Sequence, residues 1–271
     1  MTADPAPIYE VLRDALHAEE PVALATITEG PGTGAKLLVK PGQPPRGTLG
    51  DDELDRVVAR DALAELDVGL TSTRHYGRHG EAREREVSVF IESFSPPPRL
   101  IIFGAVDFTA ALARAGKLLG FRVTVCDARA VFATPARFPM ADEVVNDWPD
   151  RYLEKVRDLG PRDAVCVLTH DAKFDVPAIV SATNTAVGYI GAMGSRRTHD
   201  TRMARLREAG LDDDALDRVM APIGLDIGAR TPEETAISIC AEIIANRSGV
   251  AVPHLRDGAG PIHRAPSAED S

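Results

Sequence analysis

The sequence predicts an α/β protein, with a small N-terminal α/β domain followed by a doubly wound parallel sheet carrying helices on both faces. Three observations point there. The run Ser95-Pro-Pro-Pro98 can continue neither a strand nor a helix, because proline fixes φ and lacks an N–H, and it marks the clearest boundary in the chain. Beyond it, short apolar segments alternate with amphipathic ones, the pattern of parallel strands joined by crossover helices. Before it, Val87, Val89 and Ile91 recur at every second position, as in a strand with one apolar face. A length of 271 residues allows each part its own core.

In order, residues 7–19 read as an amphipathic helix, 22–27 as a strand, Glu29–Gly34 as a loop and 35–39 as a second strand. Arg46-Gly-Thr-Leu-Gly50 leads into a helix at 51–66, with Asp51 and Asp52 set against its positive end. Strands at 68–74 and 87–93 complete a domain of residues 1–94, with His75 and His79 in an exposed charged loop between them. After the linker at 95–98, a domain of residues 99–247 offers strands at 99–103, 121–126, 143–146, 163–169 and 188–192. Its helices read at 107–119, 149–159, 175–186, 196–209 and 232–246, the first with an apolar stripe of Phe108, Ala111, Leu112, Ala115, Leu118 and Leu119. A Rossmann-like strand order of 3-2-1-4-5 puts the strands beginning at 99 and 163 side by side, and ligands of such sheets bind over the carboxyl ends at that switch point. Residues 248–271 turn to Gly, Pro, His and charge without periodicity and read as a mobile tail.

Charge and composition narrow the classes. Lys plus Arg number 31 against 41 for Asp plus Glu, and a net charge of −10 sets the chain against coating nucleic acid or anionic lipid. No apolar run is long enough to span a bilayer, and Met1-Thr-Ala-Asp-Pro5 does not resemble a signal peptide. Three cysteines without a C-x-x-C pair argue against a disulfide framework or a zinc site; Cys126, Cys166 and Cys240 read as small buried residues. The expectation is a soluble cytoplasmic protein without a metal centre.

Three stretches could carry a ligand. In Tyr189-Ile-Gly-Ala-Met-Gly-Ser-Arg-Arg-Thr-His199, a strand ends in Gly191 and Gly194, Ser195 offers an N-cap, and Arg196 and Arg197 open a helix. Cations oppose the helix dipole there, so the pair either suits a visiting anion or is solvated or paired with the chain's surplus carboxylates. After the fourth strand, His170, Asp171, Lys173 and Asp175 stand together at the switch point; His170 and Asp171 read as an acid–base pair, a metal pair or a loop cap, with Lys173 facing the Arg196/Arg197 turn. In Pro222-Ile-Gly-Leu-Asp-Ile-Gly-Ala-Arg-Thr-Pro-Glu-Glu234, Thr231 and Glu234 form a capping box behind a tight loop holding Asp226 and Arg230. The first strand of the second domain turns at Gly104-Ala-Val-Asp107, which has one glycine where a dinucleotide fingerprint wants three. Asp107 reads there as an N-cap, and Asp127 stands about 20 residues on, where a ribose-binding acid belongs.

With these stretches the chain resembles the XdhC/CoxI family, maturation factors for xanthine dehydrogenase and related molybdenum hydroxylases. The resemblance covers roughly residues 20–247 and is carried by Asp127-Ala-Arg129, Phe132-Ala-Thr134, Arg137-Phe-Pro139, Leu168–Asp175, Tyr189–His199 and Pro222–Glu233. It implies dimerisation, and binding of molybdenum cofactor, a pterin dithiolene with a phosphate, for sulfuration and delivery to a hydroxylase, with a cysteine desulfurase as a further partner. The residues assigned to the ligand are Gly104, Asp107, Asp127, His170, Lys173, Gly191, Gly194, Ser195, Arg196, Arg197, Asp226 and Arg230, with His170 and Asp171 as candidates for chemistry. The chain departs from the family at Gly104-Ala-Val-Asp107, where many members have Gly-x-Gly-His, and at Gly50-Asp51-Asp52-Glu53, where many have a glycine run. An accessory cofactor-binding protein is thus expected ahead of an NAD(P)-dependent oxidoreductase or a scaffold that binds the hydroxylase without cofactor.

Overall fold

A computed structural model describes residues 7–82, 84–156, 158–249 and 252. The chain divides into two compact units between Pro96 and Pro97, inside the proline run.

The first unit holds α1 (Ile8–His17), β1 (Val22–Glu29), β2 (Lys36–Val39), β3 (Arg46–Thr48), α2 (Asp52–Val68), β4 (Ser72–Tyr76) and β5 (Val87–Phe94). The strands form one antiparallel sheet in the order β3-β2-β1-β5-β4. Central strand β1 is buried on both faces: Ala23, Ala25 and Ile27 pack with Leu54, Val58 and Leu66 of α2, whereas Val22 and Leu24 pack with Ala15, Val11 and Leu12 of α1. Asp51 caps α2 by accepting from the N–H groups of Glu53 and Leu54. That helix runs to Val68 and closes on Gly69 in the left-handed region (φ 66°), so the strand expected at 68–74 starts only at Ser72. Arg46–Thr48, expected as a lead-in to the helix, is an edge strand paired with β2.

The second unit holds β6 (Arg99–Phe103), α3 (Asp107–Leu118), β7 (Arg122–Cys126), β8 (Glu143–Val145), α4 (Pro149–Lys155), β9 (Ala164–Val167), α5 (Ala172–Thr183), β10 (Tyr189–Ala192), α6 (Arg196–Glu208), α7 (Asp213–Asp217), β11 (Val219–Met220) and α8 (Pro232–Ser248). All its strand pairs are parallel, in the order β11-β10-β9-β6-β7-β8. The expected order holds, with the short strand β11 added outside β10. Sequence reading passes over β11 and α7 because two and five residues are too few to show a period.

Residues of β6 alternate between two cores. Ile101 and Phe103 face Val165, Ile179 and Ile190 on one side; Leu100 and Ile102 face Leu112, Ile239 and Ile243 on the other. Each fully buried side chain of this size contributes roughly 1.5–3 kcal/mol. The α3 stripe needs correcting at its end. Leu118 is 84% exposed, and Gly116 instead lies against the sheet, where a Cβ would meet Leu100. Ser248, the first residue of the expected tail, closes α8 before Gly249 at φ 63°; residues 250–251 and 253–271 of that tail lie outside the described residues.

Candidate functional site

A cavity of about 610 Å³ opens at the carboxyl ends of the parallel strands. Three loops and three helices wall it: His170 after β9, Met193–Ser195 after β10, residues of 222–230 after β11, Phe108 of α3, Arg196 and Arg197 of α6, and Thr235 and Ser238 of α8. Its walls are mainly apolar, with Phe108, Met193, Pro222, Ile223 and Leu225, and a few polar groups converge on it. Of the residues singled out from sequence, it brings together His170, Gly194, Ser195, Arg196, Arg197, Asp226 and Arg230.

Each wall has a local cause. Ser195 accepts from the N–H of Thr198 and so starts α6 at Arg196. No acidic residue lies in the first turn of that helix, so its positive end is left to the arginines. Nε and Nη1 of Arg196 are buried, with no hydrogen-bond partner among the described residues. Leaving such a donor unmade costs about 1–3 kcal/mol, and more when the group is charged. The opposite wall is held from behind by α8. Glu242, wholly buried, accepts from the Gly224 N–H (2.8 Å) and the Tyr189 hydroxyl (2.5 Å). Ser238 donates to the Leu225 carbonyl at 2.7 Å. Gly224 has φ 98°, and a Cβ there would press on Ser238 Oγ. The Thr231/Glu234 box closes as expected, Glu234 also accepting from the Arg230 N–H at 2.7 Å.

The remaining sequence candidates lie elsewhere. Lys173, expected to face Arg196 and Arg197, instead pairs with Asp171 (3.2 Å), its ammonium 4.7 Å from the centre of the Phe174 ring. Asp171 caps α5 through the Lys173 N–H, so that helix begins at Ala172 rather than 175. Val106, not Asp107, is the N-cap of α3; Asp107 is its first residue and is exposed. Gly104 has φ 110°, and a Cβ on it would stand 2.7 Å from Thr169 Cγ2, so its lack of a side chain serves packing against the neighbouring strand end. At Gly191 a Cβ would strike Ile223.

Asp127 is 4% exposed and fully engaged. One oxygen accepts from the Ala105 N–H (2.8 Å) and from Arg129 Nη2 (2.7 Å); the other accepts from the N–H and Nε of Arg129 (both 2.9 Å). Burial pushes its pKa up, but the Arg129 guanidinium and the two backbone N–H groups outweigh it and hold the carboxyl below the ordinary carboxylate value. Burial raises all three thiols: Cys126 to about 12, Cys240 to about 11, and Cys166 well above its ordinary value. None of them is a ready nucleophile near neutral pH.

Sequence reasoning placed Asp175 at the switch point but missed its partners Thr169 and Arg202; all three lie buried beneath the cavity. Asp175 accepts from Thr169 Oγ1 and from Arg202 Nη2 (2.9 Å), and the same nitrogen donates to the Met193 carbonyl (2.8 Å). An arginine on a helix of arginines gives no sign in sequence that it alone points inward; the i, i+4 spacing of Arg202 from Thr198 and its neighbour Leu206 is the one available hint.

A doubly wound sheet with a ligand-sized cavity at its carboxyl ends defines the class of Rossmann-type binding domains. Residues 100–243 match the XdhC Rossmann domain, and residues 15–77 match the XdhC and CoxI family; the chain belongs to that family. It is 29% identical over 248 residues to the uncharacterised protein YqeB of Escherichia coli, covering 86% of this chain and 46% of YqeB. Identity is 36% over 169 residues to a probable xanthine dehydrogenase component of Bacillus subtilis (62% and 49% covered). It is 34% over 84 residues to the molybdenum cofactor insertion chaperone PaoD of Escherichia coli (31% and 26% covered). The chain thus spans about half or less of the length of these relatives. The fold is shared with the crystal structure of a xanthine dehydrogenase from Bacillus halodurans, at a TM-score of 0.50 and 22% identity, covering 89% of this chain and 95% of that one. Among the described residues no helix is long and apolar enough to cross a membrane.

Proposed function

We propose that this chain is a maturation factor that holds molybdenum cofactor in the cavity for sulfuration and for insertion into a molybdenum hydroxylase of the xanthine or CO dehydrogenase type. The observation that carries this reading is the Arg196 guanidinium, in the wall of a largely apolar cavity of about 610 Å³, two of whose nitrogens are buried without a partner among the described residues. A phosphate-bearing heterocycle answers both features. Its oxygens would accept from the Arg196 guanidinium, with Ser195, Arg197 and Arg230 beside it, and its ring would displace water from Phe108, Met193, Ile223 and Leu225. Bound, the cofactor supplies the molybdenum centre on which the acceptor hydroxylase depends. This chain's own residues would bind, orient and shield it, and a cysteine desulfurase would provide sulfur. The relatives with a role in xanthine dehydrogenase or in cofactor insertion support the same class of function.

An NAD(P) site at the first turn has less support, because Asp127 is already saturated by Arg129 and Ala105 and Val106 stands where the second glycine belongs. The test is protein purified anaerobically from molybdate-fed cells and assayed for pterin by mass spectrometry and fluorescence. About one pterin per chain, lost in the Arg196→Ala, Arg197→Ala double variant, is the expected result. Bound nucleotide instead of pterin, or an empty protein that takes up no cofactor on addition, would overturn the reading.

A further inference from the structure

Beneath the cavity, one chain of contacts joins the ends of three adjacent strands. Thr169, just past β9, packs its methyl against Gly104, just past β6. Its hydroxyl donates to Asp175, and Arg202 bridges from Asp175 (2.9 Å) to the carbonyl of Met193, just past β10 (2.8 Å). Thr169, Asp175 and Arg202 are only 6%, 3% and 4% exposed. His170 follows Thr169 directly and Gly194–Arg196 follow Met193 directly, and both segments wall the cavity. None of Thr169, Asp175 and Arg202 lines that cavity.

The pair is kept at a cost. Burial works against the Asp175 charge, and its pKa stays raised although Thr169, Arg202 and His170 all favour ionisation. Nη1 of Arg202 is buried with no hydrogen-bond partner among the described residues, and it would lie 3.6 Å from a Cβ built on Gly194. A buried ion pair of this kind is weak evidence of net stability, and an apolar pair of similar volume often does as well. Its distinctive property is geometric, since a planar guanidinium bonded to a carboxylate and to a backbone carbonyl fixes the separation of the two segments that carry them.

We infer that Asp175 and Arg202 are positioning residues: they hold the His170 loop and the Met193–Arg196 loop at one separation, and so set how well the cavity grips its ligand without touching it. The affinity part of this inference rests on the cavity being a ligand site; the loop coupling does not. Two readouts keep them apart, using the full chain with Arg202→Lys and Asp175→Asn, chosen to keep volume and polarity. The first is amide hydrogen exchange of the ligand-free protein. Either variant is expected to raise exchange by about tenfold or more in both 169–171 and 193–196, with β6 and β7 unchanged. Exchange that rises in one loop only, or equally throughout the unit, would overturn the coupling.

The second readout is fluorescence titration with a pterin carrying a side-chain phosphate. A loss of about tenfold in affinity is expected in either variant. That loss is expected to shrink when Arg196→Lys is already present, because both changes act on one contact. Unchanged affinity, or full additivity with Arg196→Lys, would overturn the positioning role. If the unmodified chain binds no pterin phosphate, the cavity reading fails and hydrogen exchange alone decides the coupling.

Discussion

Two strand-to-helix turns of the same sheet, after β6 and after β10, start from similar material and end differently. The first is filled by its own protein. Thr109 accepts from the Val106 N–H and donates to the Gly104 carbonyl, Asp127 takes the Ala105 N–H, and Thr169 occupies the space a Cβ on Gly104 would need. The second has a serine cap, two arginines and a cavity, and Arg196 keeps buried nitrogens without partners among the described residues. A turn already occupied by its own side chains has little to offer a ligand. A turn whose arginine has buried nitrogens without partners is stabilised by one. Topology nominates the carboxyl ends of both strands, and the difference in polar satisfaction selects the second.

The contrast can be broken most severely from below. Arg202→Met leaves Asp175 as an uncompensated buried carboxylate and is expected to cost about 3–5 kcal/mol, seen in thermal unfolding as a midpoint lowered by roughly 10 °C. Gly104→Ala forces a Cβ against Thr169 at φ 110° and is expected to cost about 2–4 kcal/mol in denaturant unfolding. Arg196→Ala is expected to do the reverse: affinity falls by about tenfold or more, and stability is unchanged or higher by about 1 kcal/mol, because a buried unpartnered donor is gone.

Acid separates the two turns as well. Asp127 has a folded-state pKa below its unfolded one, so its contribution is present above about pH 4 and is lost as pH falls through the lower native value. Asp175 is shifted the other way, so its ionisation opposes folding, and protonating it in mild acid relieves that penalty. Unfolding midpoints followed downward from pH 5 should therefore fall less steeply in Asp127→Asn than in the unmodified protein; an equal slope would mean that Asp127 is not held in the way described. The smallest effect is expected from Asp107→Asn, about 0.3–1 kcal/mol from the α3 dipole, with no change in ligand affinity.

How much of this was legible in the sequence differs between fold and site. The proline run, the alternation of strands and helices and the 3-2-1-4-5 order are local or topological features, written in period and punctuation, and they need no knowledge of which side chains meet. The cap at Ser195, the box at Thr231 and Glu234, and the arginine pair are local too. What depends on contacts was misassigned. Lys173 points to Asp171 and Phe174, Asp127 is consumed by Arg129, Leu118 faces solvent, and the strut through Arg202 gave no sign among its neighbouring arginines.

The sequence by itself determined the two-part α/β architecture, the membership of the family and the three loops that meet at one end of the second sheet, because spacing, turn chemistry and motif identity are all properties of short stretches. Only the tertiary structure decided that the turn after β6 is occupied by its own side chains, whereas the turn after β10 keeps buried Arg196 nitrogens without partners among the described residues. Whether a polar group is satisfied is a property of groups brought together from 5 to 65 residues apart, such as Gly104 with Thr109 and with Thr169, and no window along the chain contains it.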